Sequence, residues 1–185
     1  MSTDRLMTAD RFPTVDGALG PRDLGGLPAA GGRTRLGRVF AGGRRELITA
    51  RGVEQLADLG IRSVVDLRAP AEVGRRPSDP QVPEAAWDRF AIRTCPVEDF
   101  SDEAYVKAID HPFLNHPKQY PLLLTHFPRL LAGALESLAE ALETGPVYLH
   151  CSAGRDRTGL FSAWMLQLAG VEPAVIAEEL SLIHI

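Results

Sequence analysis

Pro146-Val-Tyr-Leu-His150-Cys151-Ser-Ala-Gly-Arg155-Asp156-Arg157-Thr158-Gly159 is the stretch around which the rest of this chain is organised. Val147, Tyr148 and Leu149 are good strand residues, and Leu160 to Leu168 carries apolar residues at helical spacing. The stretch therefore predicts a short buried strand, a tight loop and the first turn of a helix. A Cys and an Arg separated by five residues lie at that junction, with Thr158 next. A thiolate is a strong nucleophile, and unpaired amides with the positive end of a helix dipole favour it at a helix start. The amides of Ser152, Ala153, Gly154, Arg155, Asp156 and Arg157 can curl around phosphate oxygens, and the small residues permit the curl. Arg157 can grip two phosphoryl oxygens with its planar fork. Thr158 is placed to donate its hydroxyl to the thiolate, and His150 to orient the Cys151 backbone. The implied reaction is attack of sulfur on phosphorus, followed by hydrolysis of a phosphocysteine. The bland alternative is a buried, inert Cys at a strand end.

His150-Cys-Ser-Ala-Gly-Arg-Asp-Arg-Thr-Gly159 resembles the signature loop of the Cys-dependent protein tyrosine phosphatases. The Asp before the Arg is similar to one branch, the bacterial tyrosine and lipid phosphatases, which usually carries Lys where this chain has Arg155. Arg22-Asp-Leu-Gly-Gly26 and Ile61-Arg-Ser-Val-Val-Asp66-Leu-Arg68 match the same branch in order and spacing. The resemblance runs from about residue 18 to about residue 180. It implies hydrolysis of phosphate monoesters, phosphotyrosine first, with phosphoserine, phosphothreonine and phosphoinositides as alternatives. It also implies Asp156 as the proton donor to the leaving group. Asp66 is the second candidate, to position water or Arg157. Arg155 is open between a second phosphate contact and a solvated loop cation. No cofactor or metal is called for.

Upstream, residues 1–13 read as a disordered arm and residues 14–185 as one catalytic domain. Residues 17–37 are rich in glycine and predict turns and short edge strands. Arg22 and Asp23 read as a structural turn with a local ion pair, or as pocket residues. Arg38–Ala41 predicts a strand, and Thr49 caps a helix that ends at Gly60. Ile61–Leu67 is a nearly continuous apolar run, suited to a central parallel strand. Asp66 at its end faces the phosphate site or pairs with Arg68. Trp87–Ile92 predicts a strand, and Cys95 after it an unreactive thiol or a partner for a regulatory disulfide. Glu98 to Ile109 contains a helix start, which the His111-Pro, His116-Pro and Tyr120-Pro pairs interrupt. The resemblance places a lid over residues 97–125. Phe127–Leu142 is a strong amphipathic helix. Helices to Ala169 and from Pro173 complete the chain. Alternation of strands and helices implies an α/β fold with a mostly parallel central sheet flanked by helices. The resemblance implies further helices beyond residue 185, so the apolar end suggests either truncation or a compact variant.

At 185 residues with net charge -4, the chain offers no general nucleic-acid or membrane-binding signature. The apolar run Pro121–Leu135 is interrupted by His126, Pro128 and Arg129 and is not an integral membrane segment. Two cysteines make no disulfide framework, which points to a reducing, cytoplasmic setting. The partners implied are a phosphorylated protein or a phosphoinositide; oligomeric state is not legible. Two other readings remain open. One is a catalytically silent phosphate-binding pseudophosphatase. The other is sulfur transfer or arsenate reduction, which does not call for the full Cys-x5-Arg-Thr cradle.

Overall fold

The computed structural model describes residues 11–109 and 119–182. Its centre is a five-stranded sheet built from β1 (Arg22–Asp23), β4 (Val39–Gly42), β5 (Ser63–Asp66), β6 (Ala91–Thr94) and β7 (Val147–His150). The spatial order is β1-β4-β7-β5-β6, with β1 antiparallel and the other four parallel. A separate two-stranded hairpin pairs β2 (Pro28–Ala29) with β3 (Gly32–Arg33). The expected α/β architecture with a mostly parallel sheet is therefore present.

Helices cover both faces. α1 (Ala50–Asp58) lies on one face, capped by the Thr49 side chain, which accepts from the Gly52 amide. α4 (Pro128–Thr144) and α5 (Asp156–Leu168) lie on the other, with α6 (Pro173–Ser181) against α5. The alternation of β7 explains the two layers. Val147 and Leu149 join Leu131, Leu138 and Phe161 in one core, while Tyr148 joins Val53, Leu56 and Trp87 in the other.

Three expectations need correcting. Residues 1–10 of the expected arm lie outside the described residues, but Arg11 is only 1% exposed and is bound by Glu179 and two backbone carbonyls, so it is a packed residue and not part of a disordered arm. The strand expected over Trp87–Ile92 begins later, at Ala91. Trp87, at the end of the 3-10 turn Glu84–Trp87, and Phe90 just before the strand both pack into the core. Tyr120-Pro121 does not break a helix. Pro121 sits in the first turn of α3 (Gln119–His126), where its missing N–H has no intrahelical acceptor to satisfy. α2 (Glu103–Ala108) starts at Asp102, whose side chain accepts from Tyr105 N–H. The middle of the expected lid, with His111 and His116, lies outside the described residues, as do Ile183 to Ile185.

The register of the sheet places the site. Gly42, His150, Asp66 and Thr94 form one row across β4, β7, β5 and β6. Every functional candidate lies in or just beyond this row, at the carboxyl ends of parallel strands, where open α/β sheets bind ligands.

Candidate active site

Cys151 follows β7 directly, is 3% exposed, and sits at the base of a loop that becomes α5 at Asp156. Gly154 permits the curl. Its φ is +73°, and a Cβ there would lie 2.4 Å from the carbonyl carbon and oxygen of Gly42. The loop is tied to the end of β4 by Arg44 N–H, which donates to Ser152 O at 3.0 Å. Sequence reasoning found the small residues; the structure shows that Gly154 is the one that cannot carry a side chain.

His150 is wholly buried, and its Nδ1 lies 3.0 Å from Cys151 O. A carbonyl only accepts, so Nδ1 carries the proton and holds the Cys151 backbone. Burial holds the imidazole pKa below its ordinary value, with Asp66 opposing it only in part, so the ring is neutral near pH 7.

Arg157 projects from the first turn of α5 toward the β5–β6 side of the sheet. Glu72 accepts from Nη1 and Nη2, the latter at 2.7 Å, and Glu98 lies 2.8 Å from Nη1. The guanidinium is thus held in plane by two carboxylates, with Nε outside these pairs. Burial alone would lower its pKa, but Glu72 and Glu98 raise it above the ordinary arginine value. Glu72, also buried in part, is held below the usual carboxylate range by Arg157. Glu98 in turn accepts from the Tyr105 hydroxyl of α2 at 2.5 Å. Sequence reasoning missed both glutamates. Glu72 ends a short 3-10 turn (Pro70–Glu72) and Glu98 lies in irregular chain, so neither carries a period, and only the fold brings them to Arg157.

Asp66 is not directed at Arg157. Its oxygens accept from Arg68 Nε at 2.9 Å and Nη2 at 2.6 Å, and His150 Nδ1 stands 3.7 Å away. Arg68 Nη2 also bonds Glu46 at 2.8 Å. Burial alone would raise the Asp66 pKa, but Arg68 and His150 bring it below the ordinary value. Of the two placements weighed for Asp66, this is the pair with Arg68, under the loop and beside His150.

Thr158 is buried on α5, and its hydroxyl oxygen has no hydrogen-bond partner among the described residues. The expected bond to the thiolate is not made in this conformation. Asp156 opens α5, and Tyr120 in the first turn of α3 lies within electrostatic reach of both Asp156 and Cys151. Burial first, then those two groups, raises the Tyr120 pKa. The disulfide weighed for Cys95 is excluded by register. Thr94 and His150 flank Asp66 on neighbouring strands, so Cys95 and Cys151 stand about 10 Å apart at strand spacing, against about 7 Å at most for a disulfide. Both thiols are free and buried.

A strand-end Cys, a curled amide loop and an Arg clamped at the start of the next helix stand together, an arrangement with the amide and guanidinium donors that a tetrahedral oxyanion requires. The chain matches the tyrosine phosphatase family over residues 13–183, and it belongs to that family. It is 34% identical over 167 residues to a candidate tyrosine-protein phosphatase of Cupriavidus necator, covering 86% of this chain and 57% of that one. It is 28% identical over 196 residues to the triple specificity protein phosphatase PtpB of Mycobacterium tuberculosis, covering 89% and 66%. The chain thus spans less than two thirds of the length of these relatives. Among solved structures, TpbA of P. aeruginosa superposes with a TM-score of 0.46 at 18% identity, over 80% of this chain and 70% of that one.

Proposed function

We propose that the chain carries a Cys-dependent phosphatase activity on phosphate monoesters, phosphotyrosine foremost. The single observation behind this reading is Cys151 at the carboxyl end of β7 with Arg157 fixed in the first turn of α5. Cys151 Sγ attacks phosphorus while the amides of Ser152 to Asp156 and the fork of Arg157 hold the three equatorial oxygens. The S–P bond forms as the P–O bond to the leaving group breaks. Asp156 protonates the departing oxygen, then takes a proton from the water that cleaves S–P and releases orthophosphate. An alkoxide leaves poorly without that proton, whereas a phenol leaves readily, so phosphotyrosine makes the smallest demand on Asp156.

Thr158 turns its unpartnered hydroxyl to the thiolate during leaving-group transfer. Asp66, through Arg68 and His150, is a positioning residue for the Cys151 backbone. Arg155, beside the cradle, meets a further anionic group of the substrate. Residues 14–185 act as one catalytic domain, and a reducing compartment such as the cytoplasm suits a reactive thiolate. Phosphoserine, phosphothreonine and phosphoinositides stand as alternative substrates in this proposal, and one relative is named a triple specificity protein phosphatase.

The test is turnover of para-nitrophenyl phosphate in the presence of a chelator. The intact chain hydrolyses it, Cys151→Ser does not, and Cys151→Ser still binds vanadate. Binding without any turnover by the intact chain would instead establish the silent phosphate-binding module.

A further inference from the structure

The two carboxylates on Arg157 are not equivalent. Glu72 keeps 25% of its side-chain surface exposed, whereas Glu98 keeps 2%. A pair open to water is screened and loosely held, while a buried pair persists only if the rest of its carboxylate is also hydrogen-bonded. Glu98 divides its oxygens accordingly. Oε1 stands 2.8 Å from Arg157 Nη1, and Oε2 accepts from the Tyr105 hydroxyl at 2.5 Å. Glu98 itself lies in irregular chain beyond the end of β6, so its side chain is not fixed by a regular element of its own.

Tyr105 is fixed from several sides. It is wholly buried, and its N–H donates at 2.9 Å to the Asp102 carboxylate that caps α2. Its ring meets Phe127, which precedes α4, edge-on at 4.7 Å between centroids. It also meets His126, the last residue of α3, at 5.5 Å. The second oxygen of Asp102 faces His126 Nδ1 at 3.4 Å. Three helices therefore converge on this one ring. Phenylalanine would fill nearly the same volume; the hydroxyl adds a donor aimed at Glu98. A tyrosine buried this deeply needs an acceptor, and the acceptor here is the carboxylate that reaches Arg157.

We propose that Tyr105 is a positioning residue for Arg157, acting through Glu98, so that the meeting point of α2, α3 and α4 sets where the guanidinium stands. Its consequence for turnover rests on the phosphatase reading; its consequence for anion affinity does not need turnover. A displaced guanidinium weakens the grip on a tetrahedral anion and raises KM. A purely structural loss instead lowers the folded fraction, and with it the apparent kcat, at unchanged KM.

A double-mutant cycle on Tyr105→Phe and Glu98→Gln separates the two, read from the dissociation constant of vanadate and from KM and kcat for para-nitrophenyl phosphate. Tyr105→Phe keeps the ring in the core and removes the donor. Vanadate binding weakens roughly three- to tenfold, the scale of coupling passed through an intervening side chain, and KM rises with it while kcat changes less. In the Glu98→Gln background, Tyr105→Phe changes vanadate binding by less than about twofold. An amide whose oxygen turns to Tyr105 sets its NH2, a donor, against Arg157, and the connection is already broken. An unchanged vanadate constant and KM in Tyr105→Phe, with only kcat and melting temperature lowered, would overturn the proposal. Equal effects of Tyr105→Phe in both backgrounds would do the same, because the route would then bypass Glu98. If Tyr105→Phe does not fold, the chain labelled at tyrosine Cζ with carbon-13 decides by NMR. The Tyr105 resonance, one of three, shifts on saturation with vanadate in the intact chain and not in Glu98→Gln; a resonance that stays in place, or moves equally in both, overturns the proposal. Failure of the phosphatase reading appears separately, as vanadate binding without para-nitrophenyl phosphate turnover, and an intact chain that binds no vanadate overturns both.

Discussion

Replacing Gly154 by alanine tests the curl of the signature loop at the one position where the structure forbids a side chain. The new Cβ would lie 2.4 Å from the Gly42 carbonyl carbon and oxygen and 2.7 Å from Gly43 N, against an ordinary contact of 3.4 Å. The difference, 3.4 − 2.4, requires a retreat of about 1 Å. The end of β4 cannot supply it, because Gly43 N–H donates to Leu19 O at 2.9 Å and Gly43 O accepts from the buried Tyr148 hydroxyl at 2.7 Å. The loop must move instead, stretching the bond from Arg44 N–H to Ser152 O and displacing the amides around Cys151. Misplacement by about 1 Å costs on the order of 10²-fold in rate. Alanine at positive φ adds about 1–2 kcal/mol, which for a chain of this size lowers the melting temperature by roughly 2–8 °C. The assays are kcat/KM for para-nitrophenyl phosphate and thermal unfolding followed by circular dichroism. Gly133→Ala, on the exposed face of α4 with nothing within 4 Å of the new Cβ, is the control and should gain about 0.5–1 kcal/mol. Full activity and an unchanged melting temperature in Gly154→Ala would refute the packing described for the loop.

Asp156→Asn should slow alkyl phosphates by orders of magnitude and activated aryl phosphates much less. A leaving-group dependence that stays flat in Asp156→Asn but steepens in Asp66→Asn would transfer the acid role. Glu72→Gln removes the two-point grip on Arg157, whose charged hydrogen bonds are worth about 1.5–3 kcal/mol each before solvent screening of the partly exposed Glu72. It should raise KM more than it lowers kcat, and a variant with both constants intact would mean that Glu72 does not hold Arg157 for phosphate. Stability should fall in acid in two stages. The His150 pKa is depressed in the fold, so its contribution is complete above the unfolded value of about 6.5 and declines below it. The Asp66, Glu46 and Glu72 pKa values are also depressed, so their contribution is complete above about pH 4–4.5 and is lost as pH falls further. Melting temperature against pH in His150→Asn should lack the first stage, and an unchanged profile would count against a neutral buried imidazole.

The elements nearest the chemistry were legible because their signals are contiguous. Strand β7, the small-residue loop and the apolar face of α5 follow one another in the chain, and backbone geometry ties each to its neighbours. The Thr49 cap of α1 and the apolar stripe of α4 were legible for the same reason. α3 was not, because Pro121 reads as a breaker unless it is known to occupy a first turn. The groups around the loop were also beyond reach. Arg157 meets Glu72 from 85 positions away, and Arg11 meets Glu179 from 168. Asp66 left two placements open until Arg68, two positions on, closed around it within the packed interior. Side chains in irregular segments carry no period that announces their partners, and charge alone does not say which cation a carboxylate will reach. Cys151 and the loop that curls around it were thus written in one local stretch, whereas the clamp on Arg157 and the neutral state of His150 exist only once the sheet has set distant segments side by side.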